Sequence, residues 1–140
     1  MSTRNTAIFD LDGTLLNSLQ DLTNSVNYCM KKYGGPSYTC EEIREKVGNG
    51  IYVLIERSLP QGRSNPNYDA CMKEFQIYYK AHMLDNTKPY EGIMDALYRL
   101  KKHGYHLAIV SNKFDAAVKK LRQDFFDDVI PVAIGESPSI

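Results

Sequence analysis

Apolar residues fall into two textures along this chain. Ala7-Ile8-Phe9 and Leu107-Ala108-Ile109-Val110 are unbroken apolar runs, the pattern of short strands buried in a parallel sheet. Between them, apolar residues recur at helical spacing. Leu22, Val26, Met30 and Tyr33 predict a helix over 21–33, ended by Gly34-Gly35-Pro36. Thr39 and Glu42 have capping-box spacing, predicting a short helix through Val47 that Gly48-Asn49-Gly50 breaks. Ile51–Ser58 reads as another short helix, and 60–67 as a loop rich in Gly, Ser, Asn and Pro. Tyr68, Met72, Phe75, Tyr79 and Met83 lie on one face of a longer helix over 66–84, most simply a core stripe. Ile93, Leu97 and Leu100 mark a helix ending at Gly104, and Ser111-Asn112-Lys113 is expected to end the second apolar strand. A helix over 115–123 and a third strand over 129–134 follow, the latter an edge or kinked strand because of Pro131.

The order is strand, helical block, then helix-strand-helix-strand. A helical block between strands of one sheet implies a discontinuous α/β domain, 1–17 with 87–140, and an inserted helical lobe, 18–86, expected over the carboxyl edge of the sheet.

Composition narrows the function classes. The chain has 140 residues, and its 17 basic residues balance 17 acidic ones. With no long basic run, nucleic acid and membrane surfaces are not expected partners. No apolar stretch approaches a membrane span, and no signal-peptide pattern opens the chain. Cys29, Cys40 and Cys71 are odd in number and widely spaced, reading as reduced thiols of a cytoplasmic protein.

The chemistry concentrates where the first strand ends. In Asp10-Leu11-Asp12-Gly13-Thr14, residues two apart share a face, so Asp10 and Asp12 can meet in one site while Leu11 turns inward. A carboxylate can attack phosphorus and a second can move the proton. Gly13 leaves room for a phosphate and Thr14 offers a hydroxyl and an N–H. A carboxylate nearing a phosphate dianion is repelled by about 8 kcal/mol at 4 Å, so a cation is needed. Mg2+ suits a carboxylate site, with Asp10 the first ligand. Ser111 and Asn112, at the second strand's end, are candidates for binding phosphate oxygens.

Plainer readings fit other residues. Lys113 reads as solvated, and His82, His103 and His106 lack metal-ligand spacing. Glu41, Glu42, Glu45 and Lys46 form a solvated helix face.

Phe9-Asp10-Leu11-Asp12-Gly13-Thr14-Leu15 and Val110-Ser111-Asn112-Lys113 resemble the first two motifs of the haloacid dehalogenase (HAD) superfamily. Lys88-Pro89-Tyr90-Glu91-Gly92 resembles the segment re-entering the core from a helical cap. The whole chain resembles the phosphoglycolate phosphatase-like branch. That resemblance implies a Rossmann-like three-layer α/β core with a truncated parallel sheet and an inserted helical cap. It implies Asp10 as nucleophile, Asp12 as general acid/base and Ser111 as phosphate ligand, with Mg2+ on the Asp10 carboxylate and the Asp12 carbonyl. Gly48, Asn49 and Gly50 correspond to a substrate-specificity loop of the cap, though Gly48 and Gly50 read at least as well as turn glycines. The family's later motifs, a lysine and an acidic pair, would fall beyond Ile140, so the core is expected to be incomplete and the open edge of Thr6–Phe9 to favour self-association. The implied function is Mg2+-dependent hydrolysis of a small phosphorylated metabolite, phosphoglycolate-like, through an aspartyl-phosphate. A phosphomutase or pyrophosphatase, or an inactive fragment, is the alternative. A dehalogenase would not need an acid at position 12.

Overall fold

The first apolar run forms strand β1, Thr6–Phe9. A computed structural model describes residues 5–47 and 51–137 of the chain. After β1 come a two-residue strand β2 (Leu16–Asn17) and helices α1 (Leu19–Tyr33), α2 (Cys40–Lys46) and α3 (Ile51–Ser58). A single turn of tighter helix at Gly62–Ser64 leads to α4 (Tyr68–His82). The chain continues through β3 (Lys88–Pro89), α5 (Ile93–Lys102), β4 (His106–Phe114), α6 (Asp115–Phe126) and β5 (Val132–Glu136). It divides into two units, 18–88 and the discontinuous pair 1–17 with 89–140.

The unit over 18–88 is built on helices α1 to α4 among its described residues. α1 packs on α2 and α4, burying Val26, Cys29, Met30, Cys71, Phe75 and Tyr79. The stripe expected on α4 is its core face, with Phe75, Tyr79 and Met83 fully covered. The Cys29 and Cys71 thiols are free and hydrogen-bonded to each other; that bond, with burial, pushes the Cys29 thiol well above its ordinary range. α2 begins with the expected capping box: Thr39 Oγ1 accepts the Glu42 N–H at 3.2 Å, and Glu42 Oε1 accepts the Thr39 N–H at 3.0 Å. Thr39's bonds hold the Glu42 carboxyl below its ordinary value.

A buried carboxylate closes this unit. Asp21, in the first turn of α1, is 2% exposed. It accepts the Asn86 N–H at 2.9 Å, the Asn86 amide side chain at 2.9 Å and the Thr87 hydroxyl at 2.7 Å. These bonds tie the unit's first helix to its last residues.

In the second unit three parallel strands lie in the order β1-β4-β5. Thr6 pairs with His106 and Phe9 with Ile109 in β4; Ala108 and Val110 pair with Val132 and Ile134 in β5. Helices α5 and α6 pack against this sheet, where Leu107, Ile109 and Ala133 are buried. Three expectations are corrected here. The apolar runs are not wholly buried, since Ile8 is 65% and Val110 49% exposed. They alternate because, among the described residues, helices cover one face of the sheet. Next, β4 does not end at Ser111 but runs to Phe114 with an irregular register after Val110. Lastly, the third strand starts at Val132, since Pro131 has no N–H for a ladder and the amides of Val129 and Ile130 bond the Phe126 carbonyl at the end of α6.

Candidate active site

β1 delivers Asp10 at its carboxyl end. Asp10 is exposed, and its Oδ1 accepts the Leu11 N–H at 2.8 Å. Leu11 is fully buried, so the chain turns about an apolar anchor with carboxylates on either side of it. The Leu11 carbonyl accepts the N–H groups of Leu15 and Leu16 at 3.0 Å and, more weakly, that of Thr14 at 3.4 Å. Gly13 closes the turn with φ of 78°, a conformation that disfavours any side chain. Its N–H donates to the Leu16 carbonyl at 2.9 Å. Space beyond Gly13 is open, since a Cβ there would meet nothing within 4 Å. The amides of Gly13 and Thr14 thus serve the turn, while the Thr14 side chain belongs to an exposed residue.

β4 ends beside this turn. Ser111 is 8% exposed, and its Oγ accepts the Lys113 N–H at 3.1 Å, a local bond within the irregular end of β4. Asn112 is exposed between these buried neighbours. The reading of Lys113 as solvated is corrected. Its side chain is 5% exposed, and Nζ lies 2.9 Å from Asp12 Oδ1. This ion pair joins the first motif to the second across the ends of neighbouring strands. The signal was in the alternation: Leu107, Ile109, Ser111 and Lys113 occupy one face of β4, and all four are buried.

Asp115 also escaped the sequence reading. Its Oδ1 accepts the Gly135 N–H at 2.9 Å and an ion pair from Lys119 at 2.6 Å. Lys119 first, then the Gly135 amide, hold its carboxyl below the ordinary range. Gly135 permits the close approach, because a Cβ there would lie 2.6 Å from the Lys113 carbonyl oxygen and 2.6 Å from Asp115 Cα. β5 is in this way drawn against the end of β4 that carries Lys113.

Asp10 and Asp12 give two hard oxygen donors at one strand end, which suits a cation that keeps most of its water shell. Among the described residues no group of three or more His, Cys, Asp or Glu side chains converges as a metal cage. Gly48, Asn49 and Gly50 lie outside the described residues. His82 pairs with Asp85 at the end of α4, and His103 bonds the Arg99 carbonyl at 2.7 Å, so both serve helix ends. Among the described residues, no helix is long and apolar enough to cross a membrane.

Known proteins carry the same organisation. The model of the haloacid dehalogenase-like hydrolase family matches residues 7–137. Phosphoglycolate phosphatase 1 of Pseudomonas aeruginosa is 35% identical over 120 residues, covering 81% of this chain and 43% of that protein. Phosphoglycolate phosphatase of Aquifex aeolicus is 33% identical over 118 residues, covering 81% of this chain and 52% of its own length. The chain spans about half the length of the curated relatives it matches. A crystal structure of a predicted phosphoglycolate phosphatase from Haemophilus somnus superimposes with a TM-score of 0.88 at 29% identity, over 100% of this chain and 67% of that one.

Proposed function

Since the chain belongs to the haloacid dehalogenase-like hydrolase family, we propose that the Asp10–Asp12 turn is the reacting centre of a phosphatase for small phosphate monoesters, phosphoglycolate-like in class. The observation that carries this reading is the 2.9 Å pair between Lys113 and Asp12. It brings two chemically distinct motifs, far apart in sequence, to one point at the carboxyl edge of a parallel sheet, where such sheets bind ligands.

The roles follow from position. Asp10, exposed at the strand end, attacks phosphorus; the P–O bond to the alcohol breaks as an aspartyl-phosphate forms. Asp12 donates a proton to the departing alkoxide, then takes one from the water that cleaves the acyl phosphate. Lys113 orients the Asp12 carboxylate and places positive charge beside the phosphoryl group. Ser111 and Asn112, with the Thr14 hydroxyl, are the proposed phosphate ligands, and Gly13 keeps the approach clear. The Asp10 carboxylate and the Asp12 carbonyl would hold Mg2+, which would offset the repulsion between carboxylate and phosphate. Three free thiols accord with a reducing, cytoplasmic setting.

The test is turnover of p-nitrophenyl phosphate with and without Mg2+, by this chain and by Asp10→Asn. Metal-dependent release of p-nitrophenol that Asp10→Asn abolishes is expected, with acid-stable radiolabel from 32P-phosphate ester trapped on Asp10. Turnover undiminished in Asp10→Asn overturns the assignment.

A second reading has its own observation. The chain spans 40% to 58% of these curated relatives, and in this reading the stretch in hand binds phosphate without turning it over. The open edge of β1 then supports association of the chain with itself. Phosphate binding by calorimetry without turnover distinguishes this reading, and light scattering measures the association.

A further inference from the structure

We propose that Cys29 and Cys71 form a redox-active dithiol, which small hydroperoxides oxidise to an intramolecular disulfide between α1 and α4.

The helix packing brings the two thiols together. Cys29 on α1 and Cys71 on α4 are both fully buried, on helices that pack against each other. Their side chains are hydrogen-bonded to one another. Three residues farther along each helix, Lys32 of α1 pairs with Glu74 of α4. Residues three apart share a helix face, so this ion pair independently marks the same facing segments. The Tyr28 and Tyr78 rings also stack between α1 and α4, with centroids 4.0 Å apart. The dithiol thus lies on a seam that an ion pair and a ring stack hold closed. Cys40 stands apart on α2, where its thiol donates to Gln20 Oε1 at 3.5 Å.

The two thiols are not equivalent. Cys71 accepts the Cys29 S–H, which holds the Cys71 thiol below its ordinary range. The same bond, with burial, pushes the Cys29 thiol up. The thiolate is the nucleophile in thiol oxidation, so Cys71 is the attacking sulfur and Cys29 the resolving one. The Cys71 sulfur attacks one oxygen of the hydroperoxide and the O–O bond breaks. The Cys71 proton leaves with the departing oxygen as an alcohol, or as water when the oxidant is hydrogen peroxide. Cys71 is then a sulfenic acid. The Cys29 sulfur attacks it, an S–S bond forms as the S–O bond breaks, and the Cys29 proton leaves with hydroxide as water. The two sulfurs together give up the electron pair that the O–O bond takes. Burial selects the class of oxidant. A small hydroperoxide enters through local opening of the helices, whereas a bulky disulfide such as oxidised glutathione needs them far apart. Both cysteines lie within 18–88, outside the Asp10–Asp12 turn, so the proposal stands apart from the phosphatase reading.

The test is treatment of the folded chain with hydrogen peroxide, then alkylation and peptide mapping without reductant. The expected result is loss of both thiol hydrogens by intact mass, a Cys29–Cys71 linked peptide as the main product, and an alkylated Cys40. Dithiothreitol is expected to restore all three thiols to alkylation. Loop-closure entropy favours the shorter Cys29–Cys40 loop in an unfolded chain. The same treatment in concentrated urea is therefore expected to shift the product toward Cys29–Cys40. The oxidised chain is expected to have a higher urea midpoint than the reduced one, because the cross-link restricts the unfolded chain. In Cys29→Ala, dimedone is expected to trap the sulfenic acid on Cys71, while Cys40→Ala forms the disulfide as the parent chain does. Absence of the Cys29–Cys71 link in the folded chain, or an excess of Cys29–Cys40 there, overturns the proposal. So does a lower urea midpoint after oxidation, since the packed helices would then not accommodate the bond. Dimedone trapping on Cys29 in Cys71→Ala, with none on Cys71 in Cys29→Ala, overturns the order of attack.

Discussion

Lys113 and Asp21 are buried charges with different partners, and their substitutions are expected to fail differently. Lys113 is 5% exposed and bound to a carboxylate that is 22% exposed. Removing one member of a buried pair leaves the other without compensation, which costs about 3–5 kcal/mol when both are fully buried. Water reaches Asp12, so Lys113→Met is expected to lose less, about 1–3 kcal/mol, read as a lower urea midpoint at unchanged slope. Lys113→Met is also expected to weaken inorganic phosphate binding, whereas Lys113→Arg retains part of it; equal phosphate affinity in all three proteins would remove Lys113 from the site. Asp21 is 2% exposed and accepts bonds from Asn86 and Thr87. Asp21→Ala strands a buried hydroxyl and an amide, each about 1–3 kcal/mol when unsatisfied. A loss of about 3 kcal/mol or more is expected, against about 1 kcal/mol for Thr87→Val, which removes one donor and leaves the carboxylate its others. A milder effect of Asp21→Ala than of Thr87→Val in chemical denaturation would contradict this view.

At the scale of elements, the junction of β4, α6 and β5 depends on Asp115 and Gly135. The Asp115 carboxylate accepts the Gly135 amide and pairs with Lys119, and its folded pKa lies below the ordinary 3.8. A depressed carboxyl contributes stability that is present above the unfolded pKa and lost as pH falls through the folded one. Asp115→Asn is therefore expected to flatten the acid limb of stability below about pH 4, seen in urea titrations at stepped pH; identical acid limbs would refute the linkage. Gly135→Ala places a Cβ 2.6 Å from backbone atoms of Lys113 and Asp115. Backbone cannot swing aside as a side chain can, so β5 must separate from the end of β4, and destabilisation of about 1–3 kcal/mol is expected. Neither residue stood out in the sequence, because each acts through a tertiary contact twenty positions away. By contrast, α2 was legible from Thr39 and Glu42 alone, since a capping box is local. The core stripe of α4 was legible for the same reason. The end of β4 was misplaced because Ser-Asn-Lys is a common turn sequence, and only the sheet partner in β5 draws it onward as strand.

Across the molecule, two motifs were enough to point to the strand ends that the Lys113–Asp12 pair joins, while the exposure of one sheet face lay beyond local pattern. Apolar runs state that two faces want burial without stating what buries them. The unit over 18–88 presents the opposite case, because its apolar stripes find partners within it: α1 packs on α4 and α2, and α3 on α4. Its two chain ends are joined by the Asp21 bonds to Asn86 and Thr87, which offset part of the entropy cost of bringing those ends together. Helical contacts of this kind need no strand from elsewhere. The segment 18–88 expressed alone is therefore expected to be helical by circular dichroism and to melt in one cooperative transition. The same segment with Asp21→Ala is expected to melt about 12 °C or more lower, since 1 kcal/mol moves the midpoint by about 4–8 °C in a domain of this size. A non-cooperative melt of the isolated segment would show that its core depends on the sheet unit. Equal melting of the two segments would show that the carboxylate does not hold its ends.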